Sequence, residues 1–287
     1  MQLISFRKAD RASYGVVVED GIVDVGWRLG KRLPDLKSAL AQGALADVAQ
    51  VAATAKPTLK LDEVEFLPVI PNPDKIICAG VNYEAHRIEM GREKDKYVML
   101  FSRYPDTIVG HGQHLIRPAA SGRYDYEGEI AVVIGRAARN VSRDNAMDYV
   151  AGFTCFMDGS VRDFQNHTSQ FMPGKNFLMS GAMGPWLVTT DSVGDPHKMT
   201  LTTRVNGKVM QEGVLGDLSF PVAEIVEYAS RWTRLMPGDV ISTGTPGGVG
   251  NARKSPVFLR SGDVVEVQVA GVGTLRNPVR DEPPGGI

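Results

Sequence analysis

Tyr126-Glu127-Gly128-Glu129-Ile130-Ala131-Val132-Val133-Ile134 decides how the rest of the chain is read. From Ile130 to Ile134 the run is wholly apolar, which implies a strand entering a core. Side chains at i and i+2 of a strand share a face, so Glu127 and Glu129 stand side by side at its mouth. Adjacent carboxylates repel, and one must take a proton or both must share a cation. On the pair alone two readings stay open, a solvated strand end or oxygen ligands for a hard divalent ion.

Asp158 weighs for the cation. It ends a second apolar stretch, Phe153 to Met157, and precedes Gly159-Ser160, so its side chain emerges at a strand terminus. Three carboxylates with further positions open suit Mg²⁺ or Mn²⁺ and substrate oxygens, whereas zinc prefers His and Cys.

Outward from these strands the chain divides near Pro68, Pro71 and Pro73, a stiff, helix-breaking stretch. Before it, residues 1–70 read as a small α/β domain. Leu3 to Phe6, Tyr14 to Val18 and Ile22 to Val25 are strands with a hairpin turn at Asp20-Gly21, and two Ala/Leu-rich helices follow over 34–42 and 44–55. After it, residues 71–287 read as a mainly β catalytic domain. Lys75 to Ala79 is a strand leading to a helix over 82–91, and Ser142 is the N-cap of a short helix. Asn206-Gly207 turns a hairpin, and Pro221 to Thr233 carries one apolar face at helical spacing. Val240 to Thr243 and the alternating Val265, Val267 and Val269 are strands.

Other residues could carry chemistry. His86 and Glu89 stand at i and i+3 of the expected helix, where a carboxylate fixes and strengthens an imidazole base; a surface pair is the alternative. His111 and His114 form an HxxH with no third ligand at fitting distance, and read as a loop. Lys175, in Pro173-Gly174-Lys175-Asn176, could stabilise an enolate or simply be solvated. Thr243-Gly244-Thr245-Pro246-Gly247-Gly248-Val249-Gly250 is neither a Walker loop nor a dinucleotide fingerprint, but it could bind a carboxylate through its hydroxyls and N–H groups.

Composition removes several classes. The chain has 287 residues, 43% hydrophobic and 23% charged, with formal charge −1 and dispersed basic residues, so nucleic-acid binding is not expected. No apolar run of membrane-spanning length and no signal-peptide pattern occur, and Cys78 and Cys155 sit in apolar runs as expected of buried free thiols. A cytoplasmic protein is the expectation.

These blocks, taken together, resemble the fumarylacetoacetate hydrolase family across nearly all of residues 70–280. GVNYEAHRIEM (80–90) is similar to the family block whose His and Glu activate water, which implies His86 and Glu89. DYEGEIAVVIG (125–135) resembles the metal strand and implies Glu127 and Glu129 as ligands; MDGSVRDFQ (157–165) implies Asp158 as the third, with Arg162 and Gln165 contacting substrate. GKNF (174–177) matches the lysine motif at Lys175, with Asn176 where Ser is more usual, a change expected to matter little. TGTPGGVG (243–250) implies Thr245 as a contact for the substrate carboxylate. The resemblance implies an α+β, mainly β fold, a mixed β-sandwich roll, a homodimer, and Mg²⁺, Mn²⁺ or Ca²⁺.

It further implies an acylpyruvase-like hydrolase that cleaves a C–C bond in a 2,4-dioxo acid of acylpyruvate, fumarylacetoacetate, or fumaryl- or maleylpyruvate type, through a pyruvate enolate. The alternative is a 2-oxo acid decarboxylase, hydratase or isomerase with the same metal site. A catalytically silent metabolite-binding protein ranks third, because such a copy has no reason to retain all these groups. Arg103, His111, Arg253 and Lys254 are expected near the entrance, where they could read the rest of the substrate.

Overall fold

The computed structural model describes residues 1–285 except Met90, Arg92, Lys94 and Asp95; of His86 it describes the backbone alone. Among the described residues eleven strands form one sheet. Its main path runs Gly21–Asp24, Arg11–Val18, Gln2–Lys8, Gly181–Thr189, Val150–Met157, Gly128–Ile134, Val240–Ser242, Ile76–Gly80 and Met99–Arg103. Neighbours are antiparallel except Val240–Ser242 and Ile76–Gly80, which are parallel. A second sheet of five strands, Lys208–Val214, Thr200–Val205, Val264–Val269, Gly273–Asp281 and Leu115–Arg117, packs on its middle.

The apolar run read at Ile130 to Ile134 is continuous because this strand is covered on both faces. Ile130, Val132 and Ile134 join Leu201, Val267 and Leu275 of the second sheet in one cluster. Ala131 and Val133 point the other way and join Leu36, Leu40 and Val48 of the helices Leu36–Ala41 and Leu45–Thr54. Each of the Val, Leu and Ile side chains, fully buried, contributes about 1.5–3 kcal/mol, which sets a rigid frame for charged groups at the strand ends. The architecture is α+β and mainly β, with the two sheets forming the sandwich.

The first seventy residues enter the same framework. Gln2–Lys8 pairs with Gly181–Thr189, with Leu3 opposite Leu187, and the N-terminal helices share their cluster with Ile76, Cys78 and Val240. The third strand stops at Asp24, one residue before the expected end, because the Asp24 carboxylate caps a helix over Val25–Leu29 by accepting from Trp27 N–H. Ser142 precedes a 3₁₀ helix, Arg143–Tyr149, but makes no capping bond through its side chain. The helix expected over 82–91 spans Glu84–Glu89, and that over 221–233 spans Val222–Trp232. Among the described residues no helix is long and apolar enough to cross a membrane.

Candidate active site

Register brings the three carboxylates together. Gly128 pairs with Met157, so Glu127 stands opposite Asp158, and the Asp158 N–H donates to the Glu127 carbonyl at 2.8 Å. Glycine between the glutamates is demanded by packing: a Cβ at Gly128 would lie 1.9 Å from Thr203 Oγ1 of the second sheet. Glu127, Glu129 and Asp158 are all buried, and each offers one oxygen within 4.8 Å of the others.

Three cationic side chains surround them. Lys175, at the end of the short helix Met172–Lys175, is buried, and its Nζ lies 2.7 Å from Glu127 Oε2 and 2.5 Å from Asp158 Oδ2. Arg162 places Nη1 2.6 Å from Glu127 Oε1 and 2.9 Å from Gln165 Oε1, while Nε donates to Asp125 Oδ2 at 2.8 Å. Arg103 places Nη1 2.7 Å from Asp158 Oδ1. Glu129 Oε2 accepts from Ser242 Oγ at 2.5 Å and from Gly244 N–H at 2.9 Å.

Among the described residues the charges do not balance, since Asp125, Glu127, Glu129 and Asp158 outnumber Lys175, Arg162 and Arg103. Burial, then repulsion from Asp158 and Glu127, drives the Glu129 carboxyl well above the ordinary range. Burial alone would lower Lys175, but the carboxylates of Asp158 and Glu127 outweigh it and hold the ammonium above the usual lysine value. An all-oxygen donor set with one carboxyl forced toward neutrality fits a hard divalent cation, and the lysine ammonium stands among the same oxygens.

A cavity of about 50 Å³ opens onto this cluster, room for roughly three to five waters. Glu127, Glu129, Asp158, Lys175, Arg162, Gln165 and Thr245 all line it, so seven of the nine sequence-derived site residues share one space. Arg162 Nη2 is buried and finds no hydrogen-bond partner among the described residues. A spare guanidinium donor at a cavity wall suits an anionic oxygen. The Thr245 hydroxyl donates to the Gly128 carbonyl at 2.9 Å and accepts from Gln211 at 2.7 Å, which binds its loop to the strand Gly128–Ile134.

The remaining two residues lie on the helix Glu84–Glu89. The Glu89 carboxylate accepts from Gly248 N–H at 3.0 and 3.2 Å, joining the helix to the Gly-rich loop. The His86 side chain, and with it the His86–Glu89 pairing, lies outside the described residues.

Expectations about four neighbouring residues need correction: Arg253 and Lys254 do not line the cavity, and Arg253 instead donates to the Tyr126 hydroxyl at 3.1 Å. Arg103 is not at an entrance: it is 2% exposed and sits behind Asp158. His111 does not line the cavity; its Nδ1 accepts from Arg276 N–H and its ring packs 5.0 Å from Phe66. Asn176 makes three hydrogen bonds, to Ser102 O, Met172 O and Tyr104 N–H, fastening the lysine turn to the neighbouring strand end. Asp125 was missed. Its buried carboxylate accepts from Arg162, from Gly250 N–H at 2.9 Å and from Asn251 N–H at 2.9 Å. Its place two residues before Glu127, on the same alternation, was the available signal.

Known proteins match the chain over most of its length. The family model "Fumarylacetoacetate (FAA) hydrolase C-terminal" matches residues 75–280. The mitochondrial oxaloacetate tautomerase FAHD2A of Bos taurus is 40% identical over 240 residues, which is 83% of this chain and 76% of that protein. The oxaloacetate tautomerase YisK of Bacillus subtilis (strain 168) is 41% identical over 223 residues, 76% of this chain and 74% of that one. The crystal structure of maleylpyruvate hydrolase from Sphingobium sp. SYK-6, in complex with manganese(II) and pyruvate, superposes with a TM-score of 0.81 at 28% identity, covering 98% of this chain and 99% of that one. With the sandwich, the carboxylate cluster and this match over most of its length, the chain belongs to the fumarylacetoacetate hydrolase family.

Proposed function

We propose that this protein is a divalent-metal-dependent enzyme acting on small 2-oxo acids through an enolate, and that its reaction is keto–enol tautomerisation of a 2-oxo dicarboxylic acid such as oxaloacetate. The observation that carries this reading is the convergence of three buried carboxylates and a charged lysine on one small cavity. The choice of tautomerisation draws on the relatives named as oxaloacetate tautomerases. It displaces C–C hydrolysis, which the His86–Glu89 motif alone puts first.

Glu127, Glu129 and Asp158 would hold the ion, which when bound supplies positive charge against the carboxylate and 2-oxo oxygens of the acid. Lys175, whose ammonium is favoured by the Asp158 and Glu127 carboxylates, would serve as a hydrogen-bond donor to the oxygen that becomes negative as C3 loses its proton. Arg162, braced by Asp125, offers its spare Nη2 to a substrate oxygen. His86 and Glu89 are the groups assigned to carry the proton between C3 and the 2-oxygen. The small cavity, with several walls already charged, matches a compact polar acid better than an aromatic one.

The second reading keeps the site and adds water. In C–C hydrolysis of an acylpyruvate, His86 with Glu89 would take a proton from water, the hydroxide would bond to the distal carbonyl carbon, and the pyruvate fragment would leave as its enolate. The similarity to a maleylpyruvate hydrolase over nearly the whole chain favours keeping it. One experiment separates the two. Enol oxaloacetate and a panel of acylpyruvates are each mixed with the Mn²⁺-loaded enzyme, following enol absorbance and pyruvate release. Faster enol decay than with Mn²⁺ alone, without cleavage of any acylpyruvate, supports tautomerisation; cleavage with no effect on the enol overturns it.

A further inference from the structure

Each of the three carboxylates has one oxygen held by a partner other than Lys175. Asp158 Oδ1 is held by Arg103, Glu127 Oε1 by Arg162, and Glu129 Oε2 by Ser242 and Gly244. The opposite oxygens of Asp158 and Glu127 both meet Lys175 Nζ. A carboxylate with one oxygen tied this way has only the other, which in Asp158 and Glu127 is shared with Lys175, to turn toward a cation. Calcium takes six to eight oxygens and readily uses a carboxylate through both, whereas Mg²⁺ demands near-octahedral geometry and Mn²⁺ shares its hard-oxygen preference.

Arg103 is the clearest of these anchors. It ends the edge strand Met99–Arg103, yet its side chain is fully buried. Nη1 also donates to Gly159 O at 2.8 Å, Nη2 to Ser180 Oγ at 2.7 Å and Nε to Thr107 Oγ1 at 3.2 Å. Burying a guanidinium costs several kcal/mol unless such partners offset it. Arg103 does not line the cavity, so it reaches a bound ion or substrate only through Asp158.

We propose that Arg103 is a positioning residue that restricts Asp158 to one oxygen toward the cation, and thereby gives the centre a preference for a small six-coordinate divalent ion over Ca²⁺. The proposal rests on the metal reading of Glu127, Glu129 and Asp158. Its readout is a ratio. Losing the guanidinium changes the local field, but Mn²⁺ and Ca²⁺ carry equal charge, so both affinities shift together on that account. The ratio of their dissociation constants responds to ligand geometry.

The test measures Mn²⁺ and Ca²⁺ binding by calorimetry to the full chain and to the Arg103→Met, Arg103→Lys and Ser180→Ala variants, with melting curves to establish folding. Wild type should bind Mn²⁺ more tightly than Ca²⁺. Arg103→Met should cut that preference about tenfold, the scale on which groups behind metal ligands act. Arg103→Lys, which keeps a donor to Asp158, should restore part of it. Ser180→Ala, which loosens Nη2, should lower it to a smaller extent; this variant decides the question if Arg103→Met fails to fold. An unchanged ratio in folded Arg103→Met, or in Ser180→Ala where the first does not fold, overturns the proposal, as does a wild type with no preference. A wild type that binds no Mn²⁺ at all overturns the metal reading itself.

Discussion

Lys175 Nζ lies 2.5 Å from Asp158 Oδ2 and 2.7 Å from Glu127 Oε2, among the oxygens that cluster as candidate metal ligands. In the metal-free protein the ammonium is therefore the counterion of the cluster. Lys175→Met should leave buried carboxylates without it and lower stability by about 3–5 kcal/mol. Mn²⁺ should then raise the melting temperature of this variant more than that of wild type. An equal rise in both would show that lysine and metal do not serve the same oxygens. With Mn²⁺ saturating, kcat should still fall by about 10²–10³, because the donor to the enolate oxygen is gone.

Asp158→Asn keeps shape and removes one of the oxygen charges on which the ion depends. Mn²⁺ binding should disappear at ordinary metal concentrations, and activity with it. Wild type treated with a chelator should lose activity and regain it on adding Mg²⁺ or Mn²⁺. A Asp158→Asn enzyme with full Mn²⁺ affinity would sink the ligand assignment.

The carboxylate triad was legible because strand alternation and strand ends are local properties: Glu127 and Glu129 share a face, and Asp158 follows an apolar run. Their meeting depends on the register of Gly128 against Met157, which the sequence alone does not announce. Arg103 was placed at an entrance because arginine usually meets solvent. Its depth comes from Thr107, Asp158, Gly159 and Ser180, which converge from separate parts of the chain. The joining of the N-terminal strands to the large sheet rests on Leu3 opposite Leu187, a contact no local pattern encodes. Lys175 shows the same limit, since a lone lysine in a turn reads as solvated until Glu127 and Asp158 are seen around it.

Asp125 holds Arg162 through Nε and the start of the Gly250–Ala252 turn through two N–H groups. Asp125→Asn loses the charge that steadies the guanidinium, and its amide can satisfy only part of that set. The variant should raise KM for the 2-oxo acid by about tenfold, a loss of roughly 1.4 kcal/mol of substrate binding, with a smaller change in kcat. Mn²⁺ affinity should stay near wild type, because Asp125 is not among the clustered ligands. A fall in kcat at unchanged KM would instead place Asp125 in the chemical step.

Tyr14 gives a prediction about stability far from the cavity. Its ring is buried on the strand Arg11–Val18, and its hydroxyl finds no hydrogen-bond partner among the described residues. Burial first, with the Asp35 charge adding, pushes the phenol up to about 12 from 10.0. The sign follows from which state gives up the proton. Below pH 10 both states keep it and stability is unaffected; as pH climbs toward about 12 only the unfolded chain ionises, and stability is lost. A shift of this size corresponds to about 2–3 kcal/mol by the end of that window. Tyr14→Phe removes both the ionisation and the unsatisfied hydroxyl. It should gain about 1 kcal/mol at neutral pH, and its advantage over wild type should widen as pH rises from about 9 to 11. Urea midpoints of the two proteins at matched pH read this difference directly, since other buried tyrosines contribute equally to both. A gap that stays constant with pH would mean that Tyr14 ionises no later in the folded protein than in the unfolded chain.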